Sequence, residues 1–353
     1  MESGLPKARE KFEGGLFVTS QRQANIYDVA RLAKVSHQTV SRVINNNPSI
    51  RPETKSRVLK AMESLDYRPN QAARALATSK TKMLGILASD TDFTGPASMV
   101  HEMERAARAK GYFVVSCGID PSDVESVKEG IEHLQRLGIE GLAVVTPHVN
   151  AVQYVRENVP GIPVVTLDSM YRMDELSVSV DNFTGAALAT QHLIDLGHKQ
   201  ILHVGGPKDW FESTTRAAGY TATMLNANLT PMVLDGDWEI ETGFRIGSDL
   251  DVIGKNITAV FMANDRMALG FLHALRLRKI SVPEDLSVVG FDDMEEAKYC
   301  WPPLTTMKQD FKTLGDRAMQ LLLQELQGTA FKTLDRLVPD LILRESTAAP
   351  RAL

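Results

Sequence analysis

The chain has 353 residues, 43% of them hydrophobic and 24% charged, with 24 Gly, 16 Pro and two cysteines. This near-average composition excludes a collagen-like, coiled-coil or wholly disordered protein, and the length implies two or three domains. The net charge of -5 hides a division. Residues 1–82 hold 15 Lys and Arg against 7 Asp and Glu, a balance of +8, while the remaining 24 and 37 leave residues 83–353 at -13. A basic head attracts phosphates that the acidic bulk would repel. No apolar run reaches the roughly 18 residues of a membrane span. The polar N-terminus lacks the apolar stretch of a secretory signal, so a cytoplasmic protein is expected. Cys117 and Cys300 lie far apart, which excludes a disulfide framework and a Cys-rich zinc site and suits a reducing compartment.

Residues 1–24 show no periodicity and are expected to be a mobile tail. From Asn25, a plausible N-cap, Ile26, Val29, Ala30 and Ala33 fall on one helical face. After a break at Lys34-Val35, Ser36 caps a second helix over 37–44 whose Val40, Val43 and Ile44 turn inward. Pro52 suits the first turn of a third helix through Val58, Met62 and Leu65, and Pro69-Asn70 is expected to stop it. An Ala-rich segment follows, too short to be a stable isolated helix in water.

Beyond Lys80 the pattern changes to β-rich runs alternating with amphipathic stretches. Residues 83–88, 112–117, 141–146, 163–167, 200–204, 258–262 and 286–290 read as buried parallel strands. Helices are predicted over 97–110, 184–196, 212–226 and 266–278. Repeated units of this length build doubly wound α/β sheets, and about 265 residues of them imply two lobes with a cleft.

Two regions carry candidate function. The spacing over 26–45 is that of a helix-turn-helix, whose second helix would present His37, Gln38, Ser41 and Arg42. Gln can pair with adenine and Arg with guanine, while Ser36, Thr39 and Asn45 can bond phosphates. The same spacing also fits a small three-helix domain with an ordinary polar face. In the larger part, Asp168, Asn264-Asp265 and Asp292-Asp293 end predicted strands, where open α/β sheets bind ligands. Each carboxylate could instead cap the next helix. Together with Arg216 and Trp238 they suit a sugar, whose paired hydroxyls meet carboxylate, amide or guanidinium and whose C–H face meets an indole. Trp238 could equally be a core aromatic. Gly205-Gly206-Pro207 reads as a turn. No P-loop, zinc-protease helix or nucleophile elbow occurs, so neither catalysis, cofactor nor metal is expected.

Tyr27-Asp28-Val29-Ala30, Val35-Ser36, Thr39-Val40-Ser41-Arg42-Val43 and Tyr67-Arg68-Pro69-Asn70 together resemble the lactose/galactose repressor family of bacterial transcriptional regulators, collinearly to about residue 345. Pro302-Pro303-Leu304-Thr305-Thr306 and Lys308-Gln309-Asp310-Phe311 look most like its lactose-type members. Two departures stand out. His37 replaces a base-reading tyrosine of the lactose type, and Lys34 sits where glycine is frequent, so a positive φ there would carry strain.

The resemblance implies an all-α helix-turn-helix domain followed by a two-lobed, doubly wound, periplasmic-binding-protein-like core. Residues 1–24 would be the tail, 25–69 the DNA-binding domain, 70–80 a hinge helix and linker, 81–345 the effector-binding and dimerisation core, and 346–353 a second tail. Carried over residue by residue, DNA contacts fall on Tyr27, Ser36, His37, Gln38, Thr39, Ser41, Arg42, Asn45, Asn70 and Leu76, the last an apolar minor-groove wedge. Effector contacts fall on Ser89, Asp168, Arg216, Trp238, Asn264, Asp292, Gln309 and Phe311, while Asp265 and Asp293 are expected to cap helices. The expected partners are a pseudo-palindromic double-stranded operator, a small sugar, most simply a galactoside acting as inducer, and a second copy of the chain. The absence of leucine heptads after Thr347 argues for a dimer without a tetramerising helix. A purine-type member would use its ligand as corepressor. A transport-type binding protein would lack the head, and a sugar-converting enzyme would turn its ligand over.

Overall fold

Local sequence sets each helix of the head. The computed structural model describes residues 24–45, 47–68, 75, 80–89, 94–146, 149–167, 176–251, 256–329 and 333–351. The chain divides after Lys80 into two units. In the first, α1 (Ile26–Ala33) begins at a reciprocal cap: Asn25 Oδ1 accepts from the N–H of Tyr27 at 2.9 Å, and Asp28 accepts from the N–H of Asn25 at 3.0 Å. It ends on Lys34 with φ 54, the left-handed conformation that a Cβ disfavours. α2 (His37–Ile44) starts where Ser36 Oγ accepts from the N–H of Thr39 at 3.2 Å, and α3 (Pro52–Ser64) starts with proline in its first turn. The three bury Val29, Ala33, Val40, Val43, Val58 and Ala61.

Pro69-Asn70 does not stop α3. The helix ends at Leu65, where Asp66 turns left-handed (φ 43) and the Tyr67 N–H donates to Met62 O at 2.8 Å, so a local turn closes it before the proline can act. The expected hinge, residues 70–78, lies outside the described residues except for Ala75, as does most of the N-terminal tail.

The second unit holds two six-stranded sheets. Sheet one comprises β1 (Met83–Ser89), β2 (Phe113–Ile119), β3 (Gly141–Val145), β4 (Val164–Thr166), β5 (Leu176–Val180) and β11 (Thr333–Leu337), all parallel, in the order β11-β5-β4-β3-β1-β2. Sheet two comprises β6 (Ile201–Val204), β7 (Met232–Leu234), β8 (Ala259–Met262), β9 (Ser287–Asp292), β10 (Thr305–Lys308) and β12 (Asp340–Ile342). Its order is β12-β10-β9-β8-β6-β7, parallel except for the β10–β12 pair.

Helices α4 (Thr94–Ala109), α5 (Val124–Arg136), α6 (Val149–Asn158) and α11 (Phe311–Leu326) pack on sheet one. Helices α7 (Asn182–Asp195), α8 (Phe211–Asn226), α9 (Ile240–Asp249) and α10 (Asp265–Leu277) pack on sheet two. Both faces of each sheet are therefore covered, which is why the central strands are continuous apolar runs.

The chain passes between the sheets three times, after β5, β10 and β11. Two passages double as helix starts. Asp181 accepts from the N–H of Thr184 at 2.9 Å to cap α7, and its own N–H donates to Leu337 O at 2.8 Å. Asp310 caps α11 through the N–H of Thr313 at 2.9 Å.

Two expectations need correction. The second predicted strand starts one residue later and ends two residues later than expected, and it is an edge strand with Phe113 54% exposed, because among the described residues no strand pairs beyond β2 in sheet one. The segment 346–353 is no loose tail through residue 351. Ser346 is fully buried, donates to Val288 O at 2.6 Å and accepts from the N–H of Thr305 at 2.8 Å, filling hydrogen bonds at the margin of sheet two.

Candidate functional site

On the head, α2 exposes His37, Gln38 and Arg42, with Thr39 and Ser41 half-buried beside them. Tyr27 reaches over from α1, 60% exposed, its ring centroid 5.1 Å from the His37 imidazole. One aromatic pair thus flanks the start of the second helix. Ser36 is engaged in its cap and lies 3.0 Å from Thr39 Oγ1, while Asn45 is exposed at the C-terminal end of α2. Asn70 and Leu76 fall outside the described residues.

In the core, a cleft with an empty volume of about 640 Å³ opens between the lobes at the C-terminal ends of β3, β4, β8 and β9. Its deep wall is built around Arg216, projected from α8 and 4% exposed. The guanidinium is held on every side. Nε donates to Asn182 Oδ1 at 2.8 Å, a second nitrogen donates to Ala263 O, and Asp292 Oδ1 lies 3.7 Å away. The Phe291 ring centroid is 3.7 Å from the guanidinium carbon and that of Trp238 is 5.4 Å from it.

Asp292 ends β9 with φ 115, a conformation non-glycine residues rarely adopt, and accepts from Gln309 Nε2 at 2.5 Å. Such a local outlier at a strand end points to a functional constraint. Burial pushes its carboxyl up to about 6, although Arg216 and Gln309 both pull it down. Asn264 caps α10 by accepting from the N–H of Met267 at 2.9 Å, and its Nδ2 donates to Trp238 O at 3.1 Å. The amide therefore tethers the segment that carries the indole.

Trp238 is 5% exposed with φ 73, and its indole N–H has no hydrogen-bond partner among the described residues. Its six-membered ring lies where a side chain on Gly206 would be: a Cβ there would meet ring carbons at 2.3 Å. Gly205-Gly206-Pro207 is thus more than a turn, since its second glycine makes room for the indole.

Five of the eight residues expected at the effector line this cleft: Arg216, Trp238, Asn264, Asp292 and Gln309. Ser89 is buried behind it, donating to Thr146 Oγ1 at 3.2 Å, and Thr146 is the one on the wall. Phe311 begins α11 and packs into the core of the sheet-one lobe. Asp168 lies outside the described residues.

Neither Asp265 nor Asp293 caps a helix. The buried Asp265 accepts from Thr306 Oγ1 at 2.6 Å and from the Met294 N–H at 2.9 Å, joining α10 to β10 and to the segment after β9. Burial, with Asp292 nearby, drives its carboxyl well above the usual range. Asp293 pairs with Arg344 at 2.5 Å. Sequence reading missed Trp210, Glu212 and Arg266, all on the cleft wall. A signal existed for Glu212, which stands four residues before Arg216 and so shares its helix face.

Behind the wall, His203 on β6 is fully buried against Tyr220 and Phe261, with ring centroids 5.1 and 4.7 Å away. Its Nδ1 lies 3.0 Å from Phe261 O, a group that only accepts, so the proton sits on Nδ1. Burial pushes this imidazole down to about 4, below the roughly 6.5 of an unfolded chain. Stability contributed by the neutral ring is therefore lost as pH falls from about 6.5 to 4. Asp292, raised to about 6 from an unfolded value near 3.9, works oppositely: its contribution is present at low pH and lost as pH rises to 6. Urea unfolding at several pH values should show His203→Leu tilting, relative to wild type, toward lower stability with rising pH over this interval. Asp292→Asn should tilt the other way. Parallel profiles for all three proteins would mean that neither group titrates as its burial demands.

A helix-turn-helix head and a two-lobed α/β core with a polar cleft at its strand ends define a DNA-binding regulator with a periplasmic-binding-protein-like core. Residues 25–70 match the model for bacterial regulatory proteins of the lacI family, and residues 190–347 match that of a periplasmic binding protein-like domain. The chain is 34% identical over 336 residues to the lactose operon repressor of Escherichia coli (strain K12), covering 93% of this chain and 92% of that protein. It is 33% identical over 331 residues to the HTH-type transcriptional repressor PurR of Haemophilus influenzae (strain PittEE), covering 92% and 98%. Among solved structures, the lac repressor dimer bound to operator and the anti-inducer ONPF superposes with a TM-score of 0.84 at 33% identity, covering 93% of this chain and all of that one. The chain belongs to the lacI family of bacterial regulatory proteins and is a DNA-binding repressor. No helix among the described residues is long and apolar enough to cross a membrane.

Proposed function

We propose that this repressor is released from its operator by a neutral sugar, a galactoside before others, held in the cleft of the core. One observation carries the reading: the deep wall offers paired hydrogen-bonding groups without a surplus of charge. Arg216 faces Asp292, and Arg266 pairs with Glu239 at 3.2 Å, so the wall suits a polyhydroxy ligand better than an ion. Asn264, Gln309 and the indole of Trp238 complete a surface for adjacent hydroxyls and an apolar ring face. The protein works in the cytoplasm as a switch that leaves its ligand unchanged, as its repressor relatives suggest.

The active form is a homodimer reading a pseudo-palindrome, because one recognition helix contacts too few bases. His37, Gln38, Ser41 and Arg42 face base edges, with Tyr27, Ser36, Thr39, Asn45 and Asn70 toward the backbone and Leu76 in the minor groove. Sugar re-orients the lobes about the three passages between the sheets and so alters the geometry offered to the heads. Operator must then weaken sugar binding by the same factor as sugar weakens operator binding.

The test is an operator-binding titration against galactosides, other sugars and purines. A sugar that loosens the complex is the expected result; a purine that tightens it would establish the corepressor reading that the similarity to PurR makes the chief rival. In the same assay Arg42→Ala is expected to cost about 1–3 kcal/mol at one base pair and to relax specificity there, not uniformly along the site.

A further inference from the structure

Asp265 is fully buried at the first position of α10, between Asn264 and Arg266, yet unlike them it does not line the cleft. Its two carboxyl oxygens hold two other elements. Oδ1 accepts from Thr306 Oγ1 on β10 at 2.6 Å, and Oδ2 accepts from the N–H of Met294, two residues past the end of β9, at 2.9 Å. Each of the three elements delivers a residue to the cleft: Asn264 opens α10, Asp292 closes β9 and Gln309 follows β10. The seat of the carboxyl is prepared in the strands. Thr306 is paired in register with Gly290, where any side chain would collide with Asp265 Oδ1. Asp292 and Asp293 both hold positive φ, 115 and 57, and the Met294 anchor follows them directly. The backbone that aims the Asp292 carboxyl is therefore a strained one, and it needs a tie to keep its direction.

We infer that Asp265 is a positioning residue of the effector site: bridging β10 and the segment after β9 from the start of α10, it sets where Asn264, Asp292 and Gln309 stand relative to one another. It touches no ligand itself. The inference rests on the cleft being the effector site, and it is the same for a sugar or a purine. Desolvating a carboxyl is costly, and apolar side chains could join the same elements by packing. What packing does not supply is direction. Two acceptors on one short side chain fix two neighbours at once, and a binding constellation has to be held to within about 0.5 Å.

The third tryptophan of the chain, Trp301, is 74% exposed, so in a Trp301→Phe parent the emission comes from the cleft residues Trp210 and Trp238 alone. Adding Asp265→Ala is expected to raise acrylamide quenching of that emission, a measurement that needs no ligand, because Asn264 at the loosened end of α10 holds the Trp238 carbonyl. It should also weaken, at least fivefold, whichever of methyl β-galactoside, lactose, glucose and guanine the parent binds, with operator affinity altered less than twofold. Asp265→Asn should restore most of both properties. Its carbonyl can accept from the Met294 N–H while its amide donates to Thr306 Oγ1, whose hydroxyl can turn from donor to acceptor. Thr306→Val removes one of the two bonds at nearly constant volume; it should give an intermediate loss, and it takes the place of Asp265→Ala should that protein not fold. Parental quenching and parental probe affinity in the stably folded variant would overturn the inference. So would equal losses of probe and operator affinity, the mark of general loosening. A parent that answers guanine and no sugar would remove the sugar reading and leave this inference to be decided by the variants.

Discussion

Arg216→Ala is expected to destabilise the core by about 3–5 kcal/mol and to abolish the effector response, while the folded fraction still binds operator. The cost follows from what the guanidinium leaves behind. The Asp292 side chain is 10% exposed, and Arg216 is the cation facing it at 3.7 Å; without it the carboxylate keeps the Gln309 amide among the described residues. The Asn182 side chain and the Ala263 carbonyl would also lose their donor. Protonating Asp292 relieves part of the penalty, so the loss should be larger at pH 8 than at pH 5, against a carboxyl already raised to about 6 in the wild type. The double variant Arg216→Met with Asp292→Asn removes both charges and should recover most of the stability but none of the response. Urea unfolding and operator titration read the two effects separately. An Arg216→Ala protein that still answers its effector would disprove the pocket assignment, and a double variant no more stable than the single would show that uncompensated charge was not the cause.

Gly206→Ala is expected to weaken effector binding at least tenfold, about 1.4 kcal/mol, with operator affinity in the absence of effector unchanged. A methyl group there would stand 2.3 Å from the Trp238 ring, and the ring cannot swing freely. Its backbone already sits at φ 73, its carbonyl is held by Asn264, and Trp210 packs against its edge. Overpacking at such a site costs about 1–3 kcal/mol, and here the strain falls on the indole that the effector would use. Binding followed by tryptophan emission, alongside thermal unfolding, distinguishes a displaced indole from a broadly destabilised lobe. Wild-type effector affinity in a stably folded Gly206→Ala protein would mean that the indole does not contact the ligand.

The helix-turn-helix and the central strands were legible in the residues because local rules dominate there. Asn25, Ser36 and Pro52 announce helix starts, and the apolar periodicity of Val29, Ala33, Val40 and Val43 identifies the buried face. Strands buried on both sides, such as Met83–Ser89 and Ser287–Asp292, stand out as unbroken apolar runs. Strands β5, β7, β10, β11 and β12 went unread. They are three to five residues long, and most border a passage between the sheets or an edge, where partners distant in sequence decide what is a strand.

The site divides along the same line. A charged or amide residue after an apolar run is visible in one dimension, and so Asn264 and Asp292 could be named from sequence, as Arg216, Gln309 and Trp238 could through the family resemblance. Only the tertiary structure decided that Asp265 ties α10 to β10 and to the segment after β9 instead of capping a helix, that Phe311 faces the core, and that Gly206 shapes the seat of an indole 32 residues away. The reason is physical. Caps and periodicity arise from hydrogen bonds and burial within a few residues, whereas a cleft arises where two sheets bring the ends of separate strands together, and no local pattern encodes that distance.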